Sequence, residues 1–132
     1  MPSLINRTVT LPKSLRKIVL PEAIRVVVIP AYDKDRSTNV IVKWPEPKDP
    51  NERIDFVVDW SKRMDKDDTI ASTTFNVVEG QVTVDDSSYD GKTATVWLVG
   101  GQHGETCPIL NRIVTTAGRE MEYTIYVDVV TK

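Results

Sequence analysis

The sequence is poor in the residues from which small active sites and crosslinks are built. In 132 residues it has one cysteine, Cys107, and one histidine, His103. A lone cysteine excludes an intrachain disulfide and a thiolate zinc cluster, so packing alone must hold the chain together, as suits a reducing compartment. Six glycines and eight prolines are too few for a collagen-like or low-complexity segment. No apolar run approaches the roughly 18 residues that a membrane-spanning helix needs. Residues 1–7 lack the charged-then-apolar order of a secretory signal, and Arg16 and Lys17 interrupt the next apolar stretch. The expectation is a chain that starts as it is used, inside a cell.

What the sequence does have is an ordinary globular balance, 40% hydrophobic and 27% charged, which argues against disorder. Its length suits one hydrophobic core. The dominant pattern within that length is period two, the side-chain alternation of a strand with one buried face. Ile54, Phe56, Val58 and Trp60 fall on one side of a first run. Phe75 and Val77 point inward from a second, and Gln81-Val82-Thr83-Val84 is a short third. Val96-Trp97-Leu98-Val99 is an unbroken apolar stretch suited to a central strand. Cys107, Ile109, Asn111 and Ile113 share a face, as do Met121, Tyr123, Ile125, Val127 and Val129. No helix is expected, since Pro12 and Pro21 tightly bracket the one candidate turn, residues 15–20.

Turn-forming residues separate these runs at residues 65–68, 79–80, 85–91, 100–104 and 117–118, where Gly supplies positive φ and Asp bonds back to its own backbone. Residues 115–119 read as a hairpin loop joining the last two strands. Upstream, Val26-Val27-Val28-Ile29 and Val40-Ile41-Val42-Lys43-Trp44 mirror each other across a polar segment and are expected to pair as a hairpin of their own. Pro45, Pro47 and Pro50 then form a stiff joint. The expected fold is all-β: an immunoglobulin-like antiparallel β-sandwich over residues 51–132, preceded by a basic arm and hairpin over residues 1–50. The boundary, near residues 44–51, is soft, and the arm fits equally well as part of the same sandwich.

Charge is unevenly spread. Residues 1–36 carry seven Lys or Arg against three acids, and the remainder ten against sixteen. A basic arm on an acidic body suits docking onto an acidic neighbour, although solvated side chains on a short strand pair account for the same pattern. The slightly negative total, with no aromatics interleaved among the basic residues, gives no support to nucleic-acid binding.

The candidate chemistry is thin, and nothing in it calls for a cofactor. His103 needs a nucleophile and an orienting acid to act as a base, and in a Gly-rich turn it reads as an exposed loop residue. Gly100, Gly101 and Gly104 invite a phosphate-loop reading, but a strand and not a helix comes after them. Asp65, Asp67, Asp68, Asp85, Asp86 and Asp90 cluster in two loops of the kind that can converge on calcium, yet neither loop has EF-hand spacing or its closing Glu. They read as turn formers on a solvated surface. Cys107 reads as a small buried hydrophobe, and Trp44, Trp60 and Trp97 as core or inter-strand packing.

Four motifs occur in order: Asp59-Trp60-Ser61, Asp67-Asp68-Thr69-Ile70-Ala71-Ser72-Thr73-Thr74-Phe75, Thr95-Val96-Trp97-Leu98-Val99-Gly100-Gly101, and Asn111-Arg112-Ile113-Val114-Thr115-Thr116-Ala117-Gly118-Arg119. Together they resemble the small Ig-like fibre–tail adaptor proteins of tailed bacteriophages over roughly the last two thirds of the chain. The resemblance implies a virion structural component, assembled in the host cytoplasm, that contacts other tail, fibre, neck or capsid proteins and has no catalytic residues. Multiple copies in a symmetric assembly are expected, with neither nucleic acid nor membrane as partner. The residues expected to carry partner contact are Arg7, Lys13, Arg16, Lys17 and Arg25. Two alternatives remain open at this point: a capsid decoration protein, and a carbohydrate- or receptor-binding module with an aromatic exposed beside the Asp-rich loops.

Overall fold

The computed structural model describes residues 24–31 and 41–132. Eight strands are present among them: β1 (Val26–Val28), β2 (Val42–Lys43), β3 (Ile54–Asp59), β4 (Ile70–Val77), β5 (Val82–Asp90), β6 (Thr93–Gly100), β7 (Thr106–Thr115) and β8 (Glu120–Asp128). A single 3-10 turn, Ser61–Arg63, comes after β3. The strands form two four-stranded sheets, ordered β1-β3-β6-β5 and β2-β8-β7-β4. The sheets pack face to face, giving the all-β sandwich that period two implies.

The alternation places the core as expected. Phe56, Val58 and Trp60 from the first sheet meet Ile109, Ile113, Ile125 and Val127 from the second, all fully buried. At roughly 25 cal/mol per Å² of apolar surface, these side chains supply most of the driving force for folding. A polar link also crosses the core: Trp60 Nε1 donates to Asn111 Oδ1 at 2.8 Å. Asn111 Nδ2 donates onward to Thr73 Oγ1 and the Thr74 carbonyl at 2.9 and 3.0 Å. Asn111 is thus a buried amide with its partners in place, which avoids the cost of an unpaired polar group. Trp44 is fully buried, tilted against Phe56 with ring centroids 4.9 Å apart, and its indole N–H donates to the Val57 carbonyl.

Three expectations need correction. First, β1 and β2 do not form a hairpin with each other. β1 pairs with β3 and β2 with β8, so the strands lie in different sheets. Two β-branched runs each need one buried face, but period two does not say which neighbour supplies the hydrogen bonds. Val27 and Ile29 reach the core from one side, and Trp44, next to β2, from the other.

Second, both of these pairings are parallel, so the sheets are mixed and not wholly antiparallel. Third, the turn expected at residues 85–91 is strand as far as Asp90. A register shift between Val84 and Asp86 marks a β-bulge, beyond which residues 85–90 are exposed on both faces.

The proline-rich stretch after β2 packs onto the body. Lys48 is buried, its backbone amide donates to the Asp128 carbonyl, and its carbonyl accepts from the Val130 amide, each at 2.8 Å. Its ammonium donates to the carbonyls of Gly100 and Asp49, at 2.6 and 2.8 Å. Burial lowers the Lys48 pKa, opposed by the nearby carboxylates of Glu52 and Asp49. Gly80 and Gly101 sit at positive φ against packed neighbours. A Cβ on Gly101 would come within 2.9 Å of Val82, and one on Gly80 would collide with the Cys107 sulfur.

Candidate docking surfaces

Of the five basic residues expected to contact partners, Arg7, Lys13, Arg16 and Lys17 lie outside the described residues. Arg25 is placed, just before β1. Its guanidinium pairs with the Asp55 carboxylate and donates to the Asp55 carbonyl at 2.8 Å, so its charge is met within the chain. The contact pins the start of β1 to β3, and the Val57 amide completes it by donating to the Arg25 carbonyl at 2.9 Å.

The two outer sheet faces differ in finish. On the second sheet, Arg112 of β7 pairs across to Glu120 and lies 4.0 Å from Glu122 of β8, and Lys43 bonds Asp128 at 3.0 Å. Such cross-strand pairs are typical of a solvated face. On the first sheet, Ile24, Val26 and Val28 stand exposed along the β1 edge. Trp97 also faces outward there, half-buried and not in the core, with the Arg53 guanidinium 4.4 Å above its ring. Arg53 in turn bonds Asp85 at 2.5 Å.

The Asp-rich loops divide into two kinds. Asp86 and Asp90 each accept from the next backbone amide, Ser87 and Gly91, at 2.8 and 2.7 Å, the first beside the β5 bulge and the second where β5 turns towards β6. Asp68 is different, being buried. Its Oδ1 accepts from the Thr69 amide, the Thr116 hydroxyl and the Ala117 amide, and its Oδ2 from Arg119 Nη1 at 3.0 Å. Burial pushes the carboxyl up, but hydrogen bonds from Thr115, Ala117, Thr116 and Thr69 outweigh it and hold the pKa at about 2. Arg119 also reaches Asp65 at 3.0 Å.

Asp68 therefore clamps the loop before β4 to the hairpin between β7 and β8, with its oxygens committed to protein donors. An open cavity of about 270 Å³ lies beside it, lined by Asp65, Asp67, Asp68, Thr116, Ala117 and Arg119. Sequence reasoning treated all six acids alike and missed this clamp. The signal was present in the motifs: Asp67-Asp68-Thr69 and Thr115-Thr116-Ala117-Gly118-Arg119 meet in space.

The remaining candidates have structural roles. His103 sits on the exposed loop after β6, and its Nδ1 accepts from the Thr131 amide at 3.0 Å. Cys107 is buried, and burial pushes its thiol pKa up, away from reactivity at neutral pH. Tyr89 of β5 is the aromatic side chain that stands exposed among the described residues.

What the geometry presents is sheet edges, exposed strand residues and clamped loops, the equipment of a part that packs against other parts. No curated protein matches the chain. A family model described as Podophage GP4 fiber-tail adaptor protein gp77 matches residues 48–128, more than half of the chain, and the protein belongs to that family.

Proposed function

We propose that the chain is a non-enzymatic part of the virion that joins fibre to tail, docking through the basic segment at residues 1–23. The observation that carries this reading is the extent of the family match. It spans the sandwich from Lys48, through β3 to β8, to Asp128. The basic segment and strands β1 and β2 lie outside the matched stretch.

Residues 1–23 carry Arg7, Lys13, Arg16 and Lys17 against the single acid Glu22, while residues 41–132 carry an excess of acids. Long-range attraction of this kind speeds encounter and selects the side that is approached. The protein is assembled in the host cytoplasm and used in several copies, so that each weak contact is multiplied.

The test is a full-length variant with Arg7, Lys13, Arg16 and Lys17 all changed to Glu. Its circular dichroism and melting temperature should stay close to those of the parent, while purified particles should lack it. Normal incorporation of this variant would sink the reading. Tyr89, exposed between acidic residues, favours a second reading as a carbohydrate-binding surface. A glycan array probed with and without calcium decides that, and binding that Tyr89→Ala abolishes would support it.

A further inference from the structure

We infer that Arg63, held over Tyr123 at one end of the sandwich, is an anchor for an aspartate or glutamate side chain of a neighbouring virion protein. This rests on the reading above, in which the chain docks within the particle, and gives the sandwich body a contact of its own.

The turn that carries Arg63 is firmly seated. The Arg63 amide donates to the Trp60 carbonyl at 2.9 Å, and the Ser61 amide to Asp59 Oδ1 at 2.8 Å. Trp60 before the turn and Met64 after it are both buried. The guanidinium carbon lies 5.1 Å from the centre of the Tyr123 ring, so the aromatic face holds the charged fork in one orientation. Tyr123 is itself fixed in β8, opposite Asn111 of β7.

Charge singles Arg63 out. Five arginines lie among the described residues. Arg25 pairs with Asp55, Arg53 with Asp85, Arg112 with Glu120, and Arg119 with Asp65 and Asp68. Arg63 alone has no carboxylate within salt-bridge distance among the described residues, and its turn carries Lys62 but no acid.

Its Nε is also buried without a hydrogen-bond partner. Buried N–H groups are nearly always paired, and an unpaired one costs stability. The two Nη nitrogens make no hydrogen bond among the described residues either, yet they are not buried, so a partner can reach them. A guanidinium fork can donate in parallel to both oxygens of a carboxylate, which gives the contact direction as well as strength. Arginine and tyrosine together are favoured anchors at protein interfaces.

The test uses the full-length chain and Arg63→Met, which keeps an apolar side chain over Tyr123 and removes the charge. Purified protein is added to particles made without it, and attachment is read by co-sedimentation. Attachment of Arg63→Met should weaken by about tenfold or more, as for the loss of an interface anchor. Arg63→Lys, which keeps the charge and loses the fork, should fall between the two. The melting temperature of Arg63→Met should equal or exceed that of the parent, because the unpaired Nε–H is gone. A role confined to packing would lower the melting temperature and leave attachment unchanged, overturning the inference.

Nuclear magnetic resonance tests the ligand chemistry. Hexaglutamate should shift the Arg63 Nε–Hε signal to saturation, and inorganic phosphate at the same ionic strength should shift it less. Equal shifts would overturn the assignment to an acidic side chain. A change in the same signal of the free chain on D33N/D35N would place the chain's own acids at the fork, and overturn it too. Should Arg63→Met attach like the parent while the chain with Arg7, Lys13, Arg16 and Lys17 changed to Glu does not, the inference falls and the docking role of the basic segment stands. Failure of the parent chain to attach removes both.

Discussion

The two outer strands of the first sheet are finished in opposite ways. β1 is three residues long and is held by its surroundings. Val27 and Ile29 enter the core, the Ile29 amide donates to the Asp59 carbonyl, and Arg25 clasps Asp55. β5 is nine residues long and, beyond its bulge, buries nothing. It is kept in place by its ladder to β6 and by Asp side chains that cap local amides. One edge is therefore fixed by packing, while the other is fixed by backbone pairing and leaves its side chains in solvent. A short strand can be an integral part of a fold, and a long one can carry little of its stability.

That contrast can be broken by substitution. The largest effect belongs to Trp44, which packs on Phe56 and donates to the Val57 carbonyl of β3, the strand with which β1 pairs. Trp44→Ala should cost about 3–5 kcal/mol in urea unfolding, the range for removing a large buried aromatic. Next comes acid. The Asp68 pKa is depressed from the usual 3.8 to about 2. The clamp's contribution is therefore complete above pH about 4 and lost as pH falls through about 2. Asp68→Asn should lower the melting temperature at pH 7 and flatten its fall between those values.

At the β1 edge, Arg25→Ala removes a half-buried ion pair and a hydrogen bond to backbone, so stability should drop by about 1–2 kcal/mol. At the β5 edge, Asp86→Ala should change stability by no more than about 0.5 kcal/mol, as befits an exposed position. A β5 substitution as costly as Arg25→Ala would erase the distinction between the edges.

Much of the fold could be read from the sequence because period two reports burial directly. Of the inward sets, Cys107, Ile109, Asn111 and Ile113 and then Phe56, Val58 and Trp60 emerge fully buried, with Ile54 half-buried at the start of its run. Strand partners were less legible. Val26-Val27-Val28 shows that it has an inner and an outer face, but not whether that face belongs to the first sheet or the second. The run of acids after Val84 reads as a turn because Asp and Ser favour turns, yet the ladder to β6 carries the strand through them. Residue type alone leaves Trp97 between core and inter-strand packing; the ladder sets it opposite Asp55 and Asp86, half-buried on the outer face under Arg53. Asp68 could not be told from Asp67 by composition. Only the approach of Thr116, Ala117 and Arg119, some fifty residues away in the chain, separates a buried clamp from a solvated acid.

The most direct test of the account is cryo-electron microscopy of particles assembled with the parent chain and with the R7E/K13E/R16E/K17E variant. The account predicts density for the sandwich where fibre meets tail in the parent particles, and loss of that density in the variant. Density on the capsid shell, or equal occupancy in both preparations, would contradict it.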